Sequence, residues 1–233
     1  MARSSIARFL NTLAAEALPP ALRDSASFRA VLKLLFGARV AAFDDLRQCA
    51  PTMSQTDLRR FYAGQIRRRS ARVTDNTNAV IRRIEADVLP GRVCDVGCGT
   101  GYLLRKLTAD GSCTGVGVDH HIAERRLAGN ISFVEASIDG LPFADGAFET
   151  VVSTHTLEHA LQLCSAVQEL RRVAARRLIV VVPRERPGRW GLNAHLHFFV
   201  YPWQLAVVMR PQGSYRCERM GSALYYIEDM EED

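Results

Sequence analysis

The sequence has no run of about 18 or more apolar residues, so it offers no membrane-spanning helix. Residues 1–22 lack the solid apolar run and small-residue cleavage site of a secretory signal, because Asn11, Thr12 and Glu16 interrupt them. Cysteine is sparse. Cys49, Cys94, Cys98, Cys113, Cys164 and Cys217 are too few for a disulfide scaffold in 233 residues, and no two form a Cys-x-x-Cys pair. Reduced thiols in a cytoplasmic setting are the expectation. There is no internal repeat and no low-complexity tract before the acidic end, and Lys33 and Lys106 are the only lysines. What is present is the make-up of a soluble globular chain, 48% hydrophobic and 24% charged, long enough for a layered core.

Charge is unevenly spread. Residues 1–90 hold 15 Lys+Arg against 8 Asp+Glu, whereas residues 91–233 hold 15 against 17. The basic excess suits an anionic partner such as nucleic acid, a phosphorylated substrate or a membrane surface, or else is a solvated helical face. These 90 residues have helical period. Ile6, Phe9, Leu10, Leu13, Ala14 and Ala17 share one face until Pro19 and Pro20 stop it. A second apolar stretch, 28–43, breaks at Gly37. A third begins near Ser54, whose S-x-x-D relation to Asp57 is a capping pattern, and runs through Leu58, Phe61 and Tyr62 to Ile66. A fourth covers 77–89 and ends at Pro90-Gly91. Loops are expected near 20–27, 44–54 and 70–76.

From Arg92 the pattern changes to short β-rich runs, at 92–97, 113–119, 131–136, 148–153 and 177–183, with helical segments at 102–108, 123–128 and 157–175 between them. Strands that alternate with helices and read as nearly continuous Val, Ile and Leu are parallel and buried on both faces. A helical stretch at 202–209 and two strand candidates, 215–220 and 223–227, follow. Only Gly221-Ser222 separates the last two, which permits an antiparallel hairpin. The expected division is a helical extension, 1–90, and a doubly wound α/β unit, 91–233.

The chemistry concentrates in Val93-Cys94-Asp95-Val96-Gly97-Cys98-Gly99-Thr100-Gly101. A buried strand enters glycines at alternate positions and then a helix, so the backbone can turn tightly and approach a ligand with no Cβ in the way. A dinucleotide fingerprint requires G-x-G-x-x-G, with a pyrophosphate on the helix N-terminus. The spacing here is G-x-G-x-G, and Asp95 would repel a pyrophosphate while welcoming an ammonium group. An amino-acid head such as that of S-adenosylmethionine meets that demand, and a nicotinamide-dependent oxidoreductase is disfavoured. The next strand ends in Asp119, placed to accept hydrogen bonds from both ribose hydroxyls.

VCDVGCGTG, GVGVDH and FVEASIDGLPFADGAFETVVSTHTLEH resemble the class I S-adenosylmethionine-dependent methyltransferases, especially the small-molecule branch that includes the ubiquinone-biosynthesis enzymes. The resemblance covers about 91–183. It implies a mostly parallel, seven-stranded Rossmann-like sheet with an antiparallel C-terminal hairpin, and S-adenosylmethionine as cofactor. It places Asp95, Gly97, Cys98, Gly99 and Gly101 around the methionine moiety, Asp119 on the ribose and His120 beside the adenine. Family members often carry Gly-Asp-Ala ahead of Leu-Pro-Phe, with that Asp meeting the adenine amino group. Here Ala136-Ser137-Ile138-Asp139 precedes Leu141-Pro142-Phe143, so Ser137 replaces the Asp. Its hydroxyl can accept one hydrogen bond, and Ile138 offers a backbone amide and an apolar side.

Methyl transfer is an in-line displacement at an activated sulfonium, so the protein chiefly aligns an acceptor and excludes water. A hydroxyl acceptor also has a proton to lose, which suits histidine. His155 and His159 flank Leu157-Glu158 after the fourth strand. His195 and His197 stand in Asn193-Ala194-His195-Leu196-His197-Phe198-Phe199, after the fifth. Spaced by two, they would share a face if extended, as base and orienter or as two metal ligands. No metal is expected, since no third acid or histidine stands at ligand spacing nearby. This H-x-H-F-F run is similar to an element of methyltransferases of cell-surface glycan assembly. Arg184, Arg186 and Arg189 suit a phosphate or carboxylate on an acceptor, or line a solvated loop. Tyr62, Arg69 and Arg72 are placed by position to meet the methionine carboxylate.

The leading expectation is therefore methyl transfer from S-adenosylmethionine to an oxygen or nitrogen of a small-molecule or glycan-like acceptor, with the helical extension as a lid. Methylation of RNA is a second reading, motivated by the basic extension and Arg67-Arg68-Arg69, but no RNA-binding module is recognisable, which weighs against nucleic acid as a partner. A third is a non-catalytic cofactor-binding scaffold that touches a membrane or partner through Ile6, Phe9 and Leu13, flanked by Arg3 and Arg8. Oligomeric state is open.

Overall fold

The computed structural model describes residues 18–66, 73–122, 129–190 and 193–231. The helical face of 6–17, the arginines at 67–69 and 72, and the helix expected at 123–128 lie outside the described residues. Seven strands, β1 (Gly91–Val96), β2 (Cys113–Asp119), β3 (Ile131–Glu135), β4 (Phe148–Thr154), β5 (Ala174–Pro183), β6 (Ser214–Met220) and β7 (Ala223–Asp229), form one sheet in the order β3-β2-β1-β4-β5-β7-β6. The first five are parallel, and β7 runs antiparallel to both β5 and β6, as the Gly221-Ser222 turn allows.

Alternation along the strands decides the layers. In β5, Leu178, Val180 and Val182 enter one core while Ile179 and Val181 enter the other, all fully buried. A strand covered on both faces needs that unbroken apolar run. Helices are α1 (Pro20–Arg23), α2 (Ala26–Phe36), α3 (Ala38–Cys49), α4 (Gln55–Ile66), α5 (Asn78–Asp87), α6 (Tyr102–Leu107), α7 (Leu163–Val173) and α8 (Pro202–Met209). Helices α7 and α8 close one face through Val167, Leu170, Leu205 and Met209. Helices α5 and α6 close the other through Val80, Ile84, Leu103 and Leu104. Each such side chain contributes roughly 1.5–3 kcal/mol on burial.

Several local expectations need correction. The loop at 20–27 contains α1, with Pro20 at a position whose missing amide costs nothing, and Ser25 caps α2 by accepting from the Phe28 amide at 3.1 Å. Helix α3 continues to Cys49 where a loop was expected. The helix read over 157–175 is split into a single turn at Leu157–His159 and α7 proper, and Ala174 already belongs to β5. The cause is tertiary: the Glu158 carbonyl accepts from the amides of Leu196 (2.8 Å) and His197 (3.1 Å) instead of serving a helix of its own. The capping pattern at Ser54 is realised, with Ser54 Oγ 2.6 Å from Asp57 Oδ2 and accepting from the Asp57 amide at 3.2 Å.

A third, smaller core joins Phe43 and Leu46 of α3 and Leu58 of α4 to Ala194, with Tyr62, Leu161 and Leu196 around them. It seats the N-terminal helices on the loop that follows β5. Among the described residues no helix is long and apolar enough to cross a membrane. All six cysteines are unpaired thiols.

Candidate active site

Strands β1 and β4 are neighbours whose onward connections go to opposite sides of the sheet, so a crevice opens at their carboxyl ends. The glycine turn fills its floor, and the three glycines have different duties. A Cβ at Gly97 (φ +83°) would stand 1.8 Å from Thr156 Oγ1, and one at Gly101 (φ +71°) 2.7 Å from the Phe133 ring. These two are required by packing. A Cβ at Gly99 (φ +54°) would meet nothing within 4 Å, so packing does not require this glycine. Its amide donates to Asp119 Oδ2 at 2.8 Å, tying the turn to the end of β2. Cys98 is buried, its Sγ lying 2.9 Å from where a Gly117 Cβ would be, its amide donating to the Val118 carbonyl at 3.0 Å and its carbonyl accepting from Gly101 at 2.8 Å.

Asp95 is 2% exposed, and its Oδ1 has no hydrogen-bond partner. Burial, reinforced by the charge of Asp119, pushes its carboxyl up to about 7. An orphaned buried acid beside an open backbone cradle is a site for a cation, and an α-ammonium fits it. The residues present therefore fit S-adenosylmethionine. Half-buried His120 lies nearly parallel to the Tyr62 ring, 11° apart with centroids at 6.5 Å, and burial lowers its pKa. Ser137 donates its hydroxyl to Asp139, itself held by Gln55 of α4, and so keeps its lone pairs for accepting. Ile138 is buried in the main core.

Three of the four candidate histidines gather around Glu158. The Nδ1 of His155 and the Nε2 of His159 lie 3.8 Å and 3.9 Å from Glu158 Oε1, and the His159 and His195 rings meet edge to face at 4.9 Å. His155 has φ +52°, a left-handed conformation uncommon outside glycine, and its amide donates to Val181 at 2.8 Å. Glu158 is buried, and burial pushes it up to about 7. The His195 Nδ1 is 2.6 Å from Glu185 Oε2. Burial opposes a charge on His195, but Glu185 and Glu158 outweigh it and raise its pKa.

His197 does not join the cluster. Its Nε2 donates to the Ala160 carbonyl at 2.8 Å, so the expected partnership of His195 with His197 is replaced by one between His195 and Glu185. No third acid or histidine stands at ligand spacing near His195 and His197 in the sequence, but the fold brings Glu158 and His159 to His195 from a distant segment. Tyr62, proposed by position for the methionine carboxylate, has its hydroxyl 2.9 Å from His159 Nδ1. It thereby bridges His120, at the end of β2, to the cluster. Arg184 is half-buried at the end of β5, with its amide on the Ser222 carbonyl, and Arg186 is exposed. Arg189 is engaged elsewhere: its amide donates to Asp24 and its guanidinium lies 4.8 Å over Trp190.

Sequence reasoning missed Glu185 and Arg47. Arg47 of α3 donates to the carbonyls of His195 (3.2 Å) and Asn193 (3.3 Å) and to the Asn193 side chain (2.9 Å), fixing the histidine loop. Asn193 in turn donates to both Glu185 oxygens. No spacing rule connects residue 47 to residue 195.

A family model described as a methyltransferase domain matches residues 94–181. The chain is 31% identical over 176 residues to the demethylmenaquinone methyltransferase of Roseiflexus sp. (strain RS-1), covering 57% of this chain and 73% of that one. It is 34% identical over 137 residues to a probable chloroplastic tocopherol O-methyltransferase of Oryza sativa subsp. japonica, covering 48% of this chain and 37% of the relative. The chain spans less than half the length of that relative and 46% of an ajmaline N-methyltransferase. Names among other matches include C-methyltransferases and tRNA U34 carboxymethyltransferases, so the relatives share no single acceptor. The structure of the PH0226 protein from Pyrococcus horikoshii OT3 superposes with a TM-score of 0.55 at 17% identity, over 72% of this chain and 99% of that one, which is a likeness of fold.

Proposed function

This chain belongs to the class I S-adenosylmethionine-dependent methyltransferases, and on that footing we propose that it moves a methyl group to an oxygen or nitrogen of a small-molecule or glycan-like acceptor. The observation that carries this reading is the imidazole–carboxylate cluster of His155, Glu158, His159 and His195, beside Thr156, which packs on the glycine turn, and linked through Tyr62 to His120 at the end of β2. An acceptor hydroxyl or amine has a proton to lose, and imidazole takes protons near neutral pH.

S-adenosylmethionine supplies the methyl on a sulfonium already primed for displacement. Asp95 receives the ammonium, the backbone of Gly97, Cys98, Gly99 and Gly101 cradles the methionine moiety, and Asp119 accepts from the ribose. His120, Ser137 and the Ile138 backbone line the adenine, the Ile138 side chain being buried in the core. Helices α3 and α4 of the extension 1–90, seated on Ala194 and Leu196, wall the acceptor side, while 91–233 holds the cofactor. Arg184 and Arg186, which follow β5, are placed to meet an anionic group on the acceptor. The protein works in the cytoplasm on this reading.

Methyl-labelled cofactor offered with fractionated cell extract tests it. Label in a low-molecular-weight or glycan fraction, absent with the Asp95→Ala variant, is expected. Label confined to RNA, or to no fraction, would overturn the acceptor class.

A further inference from the structure

We propose that Glu158, His159 and His195 form a binding site for a divalent transition-metal cation, open to an acceptor oxygen. One ligand atom from each of the three lies within 4.8 Å of the others. Side-chain torsions can close that spacing to the about 3.5 Å expected between ligands that each stand roughly 2.1 Å from a metal.

Hydrogen bonding has already assigned the imidazole atoms. With His159 Nδ1 donating to the Ala194 carbonyl at 3.0 Å, and the Tyr62 hydroxyl oxygen 2.9 Å away as a second acceptor, the lone pair is on Nε2, the atom 3.9 Å from Glu158. The Glu185 carboxylate likewise takes the proton of His195 Nδ1 at 2.6 Å, which puts that ring's lone pair on Nε2. A ligating histidine almost always donates its other nitrogen to a carboxylate or carbonyl, and both rings are so supported. Independently, Glu158 is 1% exposed and its Oε2 has no hydrogen-bond partner. A buried carboxylate with an unsatisfied oxygen calls for a compensating cation.

Two imidazoles and one carboxylate select a borderline ion such as zinc, cobalt, manganese or iron over calcium or magnesium, which prefer oxygen ligands throughout. Three protein ligands leave coordination positions open, as in catalytic sites. The role of the ion, orienting an acceptor through oxygen, rests on the methyl-transfer reading above. Its binding does not.

Titrating the full-length, metal-stripped protein with cobalt(II), by calorimetry and visible absorption, tests the site. Binding of one ion per chain with a visible d–d spectrum is expected. His195→Ala and Glu158→Gln should each weaken it at least tenfold, and His197→Ala should not. Adenosylhomocysteine affinity, measured on the same samples, reports folding and should stay at the wild-type value in all three. Absence of stoichiometric binding to the wild type, or undiminished binding in both His195→Ala and Glu158→Gln, would overturn the site. Wild-type protein that binds cobalt but not adenosylhomocysteine would support the metal site and remove the methyl-transfer reading.

Discussion

Glu185 and His195 are ten positions apart in the chain and 2.6 Å apart in space, with the carboxylate on the imidazole Nδ1. The contact fixes which histidine nitrogen carries the proton. It depends on Arg47 and Asn193, which hold the loop backbone and the carboxylate at once. Replacing Glu185 by Gln keeps the shape but removes the charge. Turnover should fall roughly 10–100-fold, the usual effect of losing such a support, while cofactor affinity stays unchanged. Paired kinetics and calorimetry on Glu185→Gln measure both, and a parallel loss of cofactor affinity would place Glu185 in the wrong site.

Asp95 links pH to cofactor binding. An ammonium selects the ionised carboxylate, so adenosylhomocysteine affinity should weaken as pH falls below about 7, where the ligand amine remains protonated. Asp95→Asn should bind roughly 10–100-fold more weakly at pH 8, as expected for a lost charged hydrogen bond, with a flatter pH profile.

The same shift has a stability consequence of opposite sense. The folded pKa of Asp95 is raised above its unfolded value of about 3.9, so its contribution is full below that pH and is lost as pH rises through about 7. Without ligand, Asp95→Asn should melt above the wild type at pH 8, with the gap closing toward pH 4. Thermal scans across that range check the sign, and a lower melting point for the variant at pH 8 would contradict it.

The glycines separate fold from binding. Gly97→Ala puts a Cβ onto Thr156 and strains a positive φ, so it should lower the unfolding midpoint and binding together. Gly99→Arg enters open space, at a cost of about 1 kcal/mol for its backbone conformation. It should stay folded and lose the cofactor. Urea unfolding beside calorimetry distinguishes the two patterns.

Away from the site, Arg171 donates to Glu228 Oε2 at 2.9 Å under β7. Burial alone would raise the Glu228 pKa, but Arg171, the Gln212 amide and the Tyr226 hydroxyl together hold it below its ordinary value. Arg171→Met should destabilise by about 3 kcal/mol, the effect of an unpaired buried charge. The lowered pKa means that the stabilisation is present above the unfolded value of about 4.3 and is lost as pH falls below it. A urea series at pH 7 and pH 3.5 should show the difference between wild type and variant shrinking in acid.

The glycine turn and the acids flanking it were legible because they are contiguous. A β-rich run, three glycines and two acids at strand ends occupy 93–119, and strand and turn geometry act over a few residues. Buried parallel strands also announce themselves, since Leu178 to Val182 must be apolar on both faces. The acceptor half was only partly legible. His155, His159 and His195 stood out by type, but His197 looked equivalent to His195 until the Ala160 carbonyl was seen to hold it.

By itself, the sequence determined the alternation of strands and helices and the parallel sheet with its final hairpin, both consequences of local periodicity and residue chemistry. Only the tertiary structure decided that packing demands Gly97 and Gly101 but leaves open space at Gly99, and that Glu158, His159 and His195 converge. Convergence comes from α3, the end of β4 and the loop after β5 being pressed together by a small apolar core and the Arg47 guanidinium, and burial and long-range hydrogen bonds of that kind leave no period in the chain.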